Sequence, residues 1–143
     1  MYSEKNLLFI MTMLECIEKV WIYASKYKTS DEFIWAQEQQ PLNATISMFI
    51  AIGEESKKIE LNLKNAILTN IDWNSVAGMR DKISHNYRGI DGDILWIIIF
   101  KDLIRLKDAL IQMFHLINPP KELLVTFLDS PHYRHLRYLL DLK

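Results

Sequence analysis

Helical periodicity runs from one end of this chain to the other, and only four glycines and four prolines interrupt it. No run alternates apolar with polar residues, the pattern that a half-buried strand requires. That combination predicts an all-α fold. Leu7, Ile10, Leu14, Ile17, Trp21 and Ala24 recur every three or four residues and define a first helix of about six turns. Thr29-Ser30-Asp31 supplies N-cap chemistry for a short second helix through Phe33 and Trp35. Pro41 suits the first turn of a third helix, buried along Ile46, Phe49, Gly53 and Ile59. Glycine is unfavourable inside a helix, so Gly53 predicts close packing against a neighbour. Asp72 or Asn74 is expected to cap the next helix, which would run on towards Gly89 and Asp91-Gly92. The clearest stripe is the last, from Trp96 through Leu103, Leu110 and Phe114 to Ile117, before Pro119-Pro120 stops it. Helices joined by short connections suggest an up-and-down bundle of four or five helices. Residues 1–117 would form the bundle and residues 118–143 a short helical extension, interrupted at Asp129-Ser130-Pro131.

A chain of 143 residues suits one domain, and half of its residues are hydrophobic, which excludes a disordered protein. The longest apolar run, Ile94 to Phe100, ends at Lys101-Asp102 and is too short to cross a bilayer. Glu4 and Lys5 near the start, with no small-residue cleavage site, do not read as a secretory leader. The lone Cys16 lies in the apolar pattern of the first helix and reads as a small buried hydrophobe. A reducing cytoplasmic location is expected. Net charge is −1, which argues against a basic nucleic-acid-binding face. The charge is uneven, however: residues 1–60 hold six basic against nine acidic side chains, and residues 61–143 hold eleven against nine. Any RNA site would then be a local cleft built from the second half.

The chemistry concentrates in Arg80-Asp81-Lys82-Ile83-Ser84-His85-Asn86-Tyr87. Arginine binds phosphate and stabilises developing anionic charge, and histidine exchanges a proton near neutral pH. A site beside one phosphate with both groups could cleave RNA without a metal. On an ideal helix Tyr87 would share the face of Arg80, whereas His85 would point roughly 140° away. If helical geometry frays near Asn86, His85 could swing towards Arg80. Asp81, four residues before His85, could orient the imidazole. Glu54 and Glu55 could help hold Arg80 across the bundle, although a solvated helix face is the simpler account of at least one. The bland alternative for the segment is a capped helix end with surface charges. Ser84 carries no argument at this stage. His132 and His135, at spacing three, lack an evident third ligand, so neither a metal nor a cofactor is expected. The mixture of cations and aromatics from Pro131 to Tyr138 could grip RNA, but an amphipathic helix covering the bundle is the simpler reading. His115 reads as a cation at a helix C-terminus.

Ile52-Gly53-Glu54-Glu55-Ser56-Lys57-Lys58-Ile59, Asp72 to Asp81, and His85-Asn86-Tyr87-Arg88-Gly89-Ile90-Asp91 with Trp96 strongly resemble the HepT-like branch of the HEPN superfamily. The likeness spans about residues 5–117 and is most specific from Ile52 to Trp96. It implies a small dimerising helical bundle and a ribonuclease toxin of a prokaryotic toxin–antitoxin pair. It implies a minimal nucleotidyltransferase antitoxin as partner and RNA as substrate. It also implies metal-independent cleavage by ribose 2′-hydroxyl attack, with Arg80 and His85 catalytic and Asp81 supporting. By the same resemblance Tyr87 would receive AMP from the partner and so switch the enzyme off, although the ring could equally pack on the helix end or stack a base. A rival reading is a non-catalytic helical subunit that presents nucleotide or substrate to a nucleotidyltransferase. A third is a purely structural dimer module.

Overall fold

The computed structural model describes residues 2–85 and 89–143 and is all-α apart from one pair of two-residue strands. Three long elements frame the core. Helix α1 is Lys5–Ala24 and α3 is Gln40–Ser56. The third is a continuous rod in which α7 (Gly92–Ile97) passes through a π-helical turn (Ile98–Asp102) into α8 (Leu103–Ile117). Helix α1 packs on both α3 and α8. Its Leu7, Ile10, Leu14 and Ile17 are fully buried, as the periodicity predicts. A π turn breaks the regular register of backbone bonds. Here the Trp21 indole N–H of α1 donates to the Ile99 carbonyl at 2.8 Å, giving a carbonyl of that turn a partner from the facing helix.

Short helices fill the gaps between these rods. Helix α2 (Ser30–Trp35) starts with Thr29, whose hydroxyl accepts from the Glu32 backbone N–H at 3.1 Å. Phe33 is buried, but Trp35 on the same helix is 78% exposed, because the chain turns away directly after it. Helix α4 spans Leu61–Ala66. Helix α5 (Trp73–Ala77) is capped by Asp72, which accepts from Ser75 through both its backbone N–H and its hydroxyl. Those two bonds hold the Asp72 carboxyl below its ordinary range. Gly53 meets the expectation of close packing: a Cβ there would lie 2.6 Å from the Ala77 carbonyl oxygen of α5. The approach lets α3 support the segment that precedes the motif.

The final segment consists of α9 (Lys121–Leu128), a 3-10 turn (Pro131–Leu136) and α10 (Tyr138–Asp141). Leu124, Leu128, Leu136 and Leu139 are buried with the rest of the core. The Tyr133 hydroxyl meets Thr12 of α1 at 2.9 Å. Tyr138 donates to Glu18, while Lys107 pairs with Glu18 at 2.8 Å and lies over the rings of Trp21 and Tyr138. No helix is long and apolar enough to cross a membrane among the described residues.

Candidate functional site

The motif helix is shorter than its sequence predicts. Helix α6 covers only Met79–Lys82. Ile83 then buries its side chain completely, and the chain becomes extended. Ser84–His85 forms strand β1, which pairs antiparallel with β2 (Gly89–Ile90) in the register Ser84 to Ile90 and His85 to Gly89. The Asp91 N–H donates to the Ile83 carbonyl at 2.8 Å and closes the base of this hairpin. Asp91 then caps α7, its side chain accepting from the Ile94 N–H at 3.1 Å. The helical projection that separated Arg80 from His85 by 140° therefore does not apply, since the helix has ended before His85. Burial of Ile83 and pairing with Gly89–Ile90 outweigh one more helical turn.

Gly89 is fixed by this arrangement. A Cβ on it would fall 1.8 Å from the His85 carbonyl oxygen, so no other residue fits opposite His85 without moving that backbone. Asn86, Tyr87 and Arg88 connect the strands and lie outside the described residues, and with them the expectation placed on Tyr87.

Arg80 is half-buried and donates to the Ser84 hydroxyl, one helical turn further along the chain. Both residues line a cleft of about 350 Å³ whose opposite wall comes from the start of α3, with Gln39, Asn43 and Ile46. Gly89 and Ile90 of β2 complete the hairpin side. No carboxylate pairs with Arg80 among the described residues. Glu54 and Glu55 instead pair along their own chain with Lys57 at 3.3 Å and Lys58 at 3.0 Å, and Glu54 lies on a solvated helix face. Asp81 is exposed and makes no ion pair or side-chain hydrogen bond among the described residues, so an orienting contact with His85 is not formed. His85 itself is exposed beside the cleft wall.

Sequence reasoning passed over Ser84. No helical spacing signalled it, because Ser84 lies beyond the end of α6, on the strand that follows. A guanidinium held by a neutral hydroxyl keeps its full charge for an incoming phosphate, which a carboxylate partner would cancel. Among the described residues, two further cations of this region are engaged elsewhere. Lys82 pairs with Asp102 at 4.0 Å, and Arg105 donates to the Asn70 carbonyl at 2.5 Å around a second hollow of about 290 Å³. Away from this region, His132 is exposed and lies 3.9 Å from Glu15, and no group of three His, Cys, Asp or Glu side chains is placed to hold a metal ion among the described residues.

This all-α bundle presents an arginine in an open cleft, with a histidine five residues later on a short hairpin. Its family follows from comparison: the family described as ribonuclease HepT-like matches residues 13–113, and the chain belongs to that family. It is 28% identical over 114 residues to a "gamma-glutamylcyclotransferase and putative RNase" of Methanocaldococcus jannaschii, covering 80% of this chain and 50% of that protein. A "probable ribonuclease HepT" of Thermococcus cleftensis is 39% identical over 64 residues, 45% of this chain and 57% of the relative. A "putative RNase" of M. jannaschii is 29% identical over 91 residues, 64% of this chain and 72% of the relative. The chain thus spans about half the length of the first two relatives. No solved structure matches it.

Proposed function

We propose that this protein is a ribonuclease toxin that cleaves single-stranded RNA by internal transfer, without a metal. The observation that carries the reading is Arg80, a guanidinium lining an open cleft with only a hydroxyl neighbour, beside an exposed His85. In this mechanism the ribose 2′-oxygen attacks the adjacent phosphorus, and the bond from phosphorus to the 5′-oxygen breaks. An imidazole accepts the 2′-hydroxyl proton, and an imidazolium returns a proton to the leaving 5′-oxygen. Arg80 stabilises the charge that gathers on the phosphorane oxygens. The products are a 2′,3′-cyclic phosphate and a 5′-hydroxyl.

One chain supplies one such histidine, so a two-fold dimer supplies both base and acid. Ile97, Phe100 and Ile104 support a second copy as the partner. They follow at intervals of three and four along the α7–α8 rod and are 47%, 37% and 55% exposed, an apolar surface beyond what the monomer buries. Asp81, exposed beside Arg80, supports the charge arrangement at longer range than a direct contact. Control comes from a nucleotidyltransferase antitoxin that attaches AMP to Tyr87, two residues from His85. The added phosphate competes with the RNA phosphate for Arg80 and blocks entry.

The test is cleavage of a labelled single-stranded RNA in EDTA by wild type, Arg80→Ala and His85→Ala. Loss of cleavage by at least about a hundredfold in both variants, with cyclic-phosphate ends from wild type, is expected. Undiminished cleavage by His85→Ala overturns the mechanism. Tyr87→Phe should no longer accept AMP from the partner, and unchanged labelling would place the acceptor elsewhere.

A further inference from the structure

The cleft has a second end that phosphate chemistry leaves unused. Across from Arg80 and Ser84 stand Gln39 and Asn43, both exposed, in a lining that also includes Leu42, Ile46 and Ile90. Neither amide side chain has a hydrogen-bond partner among the described residues. Amides carry no charge and hold phosphate poorly, but each presents a donor and an acceptor side by side. That is the pattern with which asparagine and glutamine recognise a base edge, adenine above all. The half-buried Ile46 and Ile90 in the same lining offer apolar contact to a base, without an aromatic ring to stack on.

The backbone that places Gln39 points the same way. Gln37, Glu38 and Gln39 all have left-handed conformations, with φ of 49°, 54° and 65°. Three consecutive non-glycine residues in this region are disfavoured by roughly 1–2 kcal/mol each. Such strain persists where the surrounding structure holds it and where a side chain must be aimed. Gln39 occupies the N-cap position of α3, yet its side chain makes no capping hydrogen bond. Its amide is therefore not spent on the helix and lines the cleft instead. At about 350 Å³ the cleft lies near the lower end of ligand sites, of order 300–1,000 Å³, and accommodates one nucleotide unit, not a duplex.

We infer that Gln39 and Asn43 form a nucleobase subsite, which binds the base flanking the phosphate at Arg80 and favours adenine. The inference rests on the ribonuclease reading for its substrate, single-stranded RNA, but its test does not require cleavage. Short fluorescent oligoribonucleotides, either all-adenine or all-uracil, are titrated by anisotropy into wild type, Gln39→Ala and Asn43→Ala, each in an otherwise identical His85→Ala background. Expected are tighter binding of the adenine probe by His85→Ala alone and at least a tenfold loss in each double variant, with the uracil probe little affected. Both substituted residues are exposed, so melting temperatures should match those of the parent. Equal affinity for both probes, or a preference that survives both substitutions, overturns the subsite. Where the His85-intact protein cleaves, mapping of fragment ends on a randomised RNA gives an independent reading. Wild type should favour one base beside the cut, and Gln39→Ala and Asn43→Ala should flatten that preference. Base-selective binding by a protein that cleaves nothing would remove the nuclease proposal and leave the subsite standing.

Discussion

Ser84 is the residue through which Arg80 is held, and its proposed role is positional. Ser84→Ala removes the acceptor without altering charge, so the guanidinium regains side-chain freedom while the proposed phosphate site keeps its cation. A fall in kcat of about three- to tenfold, with KM nearly unchanged, is the expected outcome of steady-state assays. Ser84→Thr, which keeps the hydroxyl, should restore most of that loss. Gly89 is the opposite case, since its contribution lies in the absence of a side chain. A methyl group there would collide with the His85 carbonyl oxygen, so Gly89→Ala must displace the strand that carries His85. Cleavage should fall by more than tenfold while far-ultraviolet circular dichroism remains near wild type, because only a two-residue pair is disturbed. Cys16 illustrates chemistry suppressed by position. Burial, aided by the Glu15 charge, pushes its thiol up to about 12. The protonated form favours the folded state below the ordinary thiol range, and that advantage is lost as pH rises through about 12. At pH 8 a thiol reagent should therefore label Cys16 only as fast as the protein opens; rapid labelling of the native state would contradict this burial.

Among the elements, the contact of α3 with α5 is the most sensitive to a single atom. Gly53→Ala places a methyl group 2.6 Å from a backbone oxygen that cannot rotate away. Overpacking of this kind destabilises by about 1–3 kcal/mol, outweighing the helix propensity that alanine adds. Chemical denaturation should reveal it as a lower midpoint with an unchanged slope. Ile83 is the complementary case, a fully buried side chain between helix α6 and the hairpin. Its truncation to alanine should cost about 2–5 kcal/mol and loosen both ends of the cleft wall together. The π turn at Ile98–Asp102 relates two helical registers in one rod, and the Trp21 indole bond to Ile99 is the compensation visible in the packing.

At the scale of the molecule, the proposed chemistry depends on two copies. The exposed Ile97, Phe100 and Ile104 give a direct test, because Ile97→Glu and Ile104→Glu together place charges on that face while sparing Phe100, whose ring packs on Trp96. Sedimentation should show a dimer for the wild type and a monomer for the double variant, with cleavage lost in parallel. A double variant that remains dimeric would move the interface elsewhere. The final segment contributes differently. Tyr133 and Tyr138 are held protonated chiefly by burial, and each hydroxyl engages a side chain of α1. This segment covers α1 much as an amphipathic helix would, although it is built from a 3-10 turn and short helices.

The repeat of apolar residues every three or four positions was enough to determine the helical class, the long helices and the buried stripe of α1, because those features depend on local spacing. Capping by Thr29 and Asp72, and the crowding at Gly53, were legible for the same reason: each follows from the chemistry of one residue type. Arg80 and His85 stood out by their chemistry, but their relation did not, since it depends on where α6 stops. That boundary is decided by the burial of Ile83 and by pairing with Gly89–Ile90, contacts that no helical projection contains. Ser84, Gln39 and Asn43 acquire meaning only when α3 and the hairpin face one another across the cleft. Tertiary packing brings residues some forty positions apart to one space, and only there do a cation and two amides line one cleft.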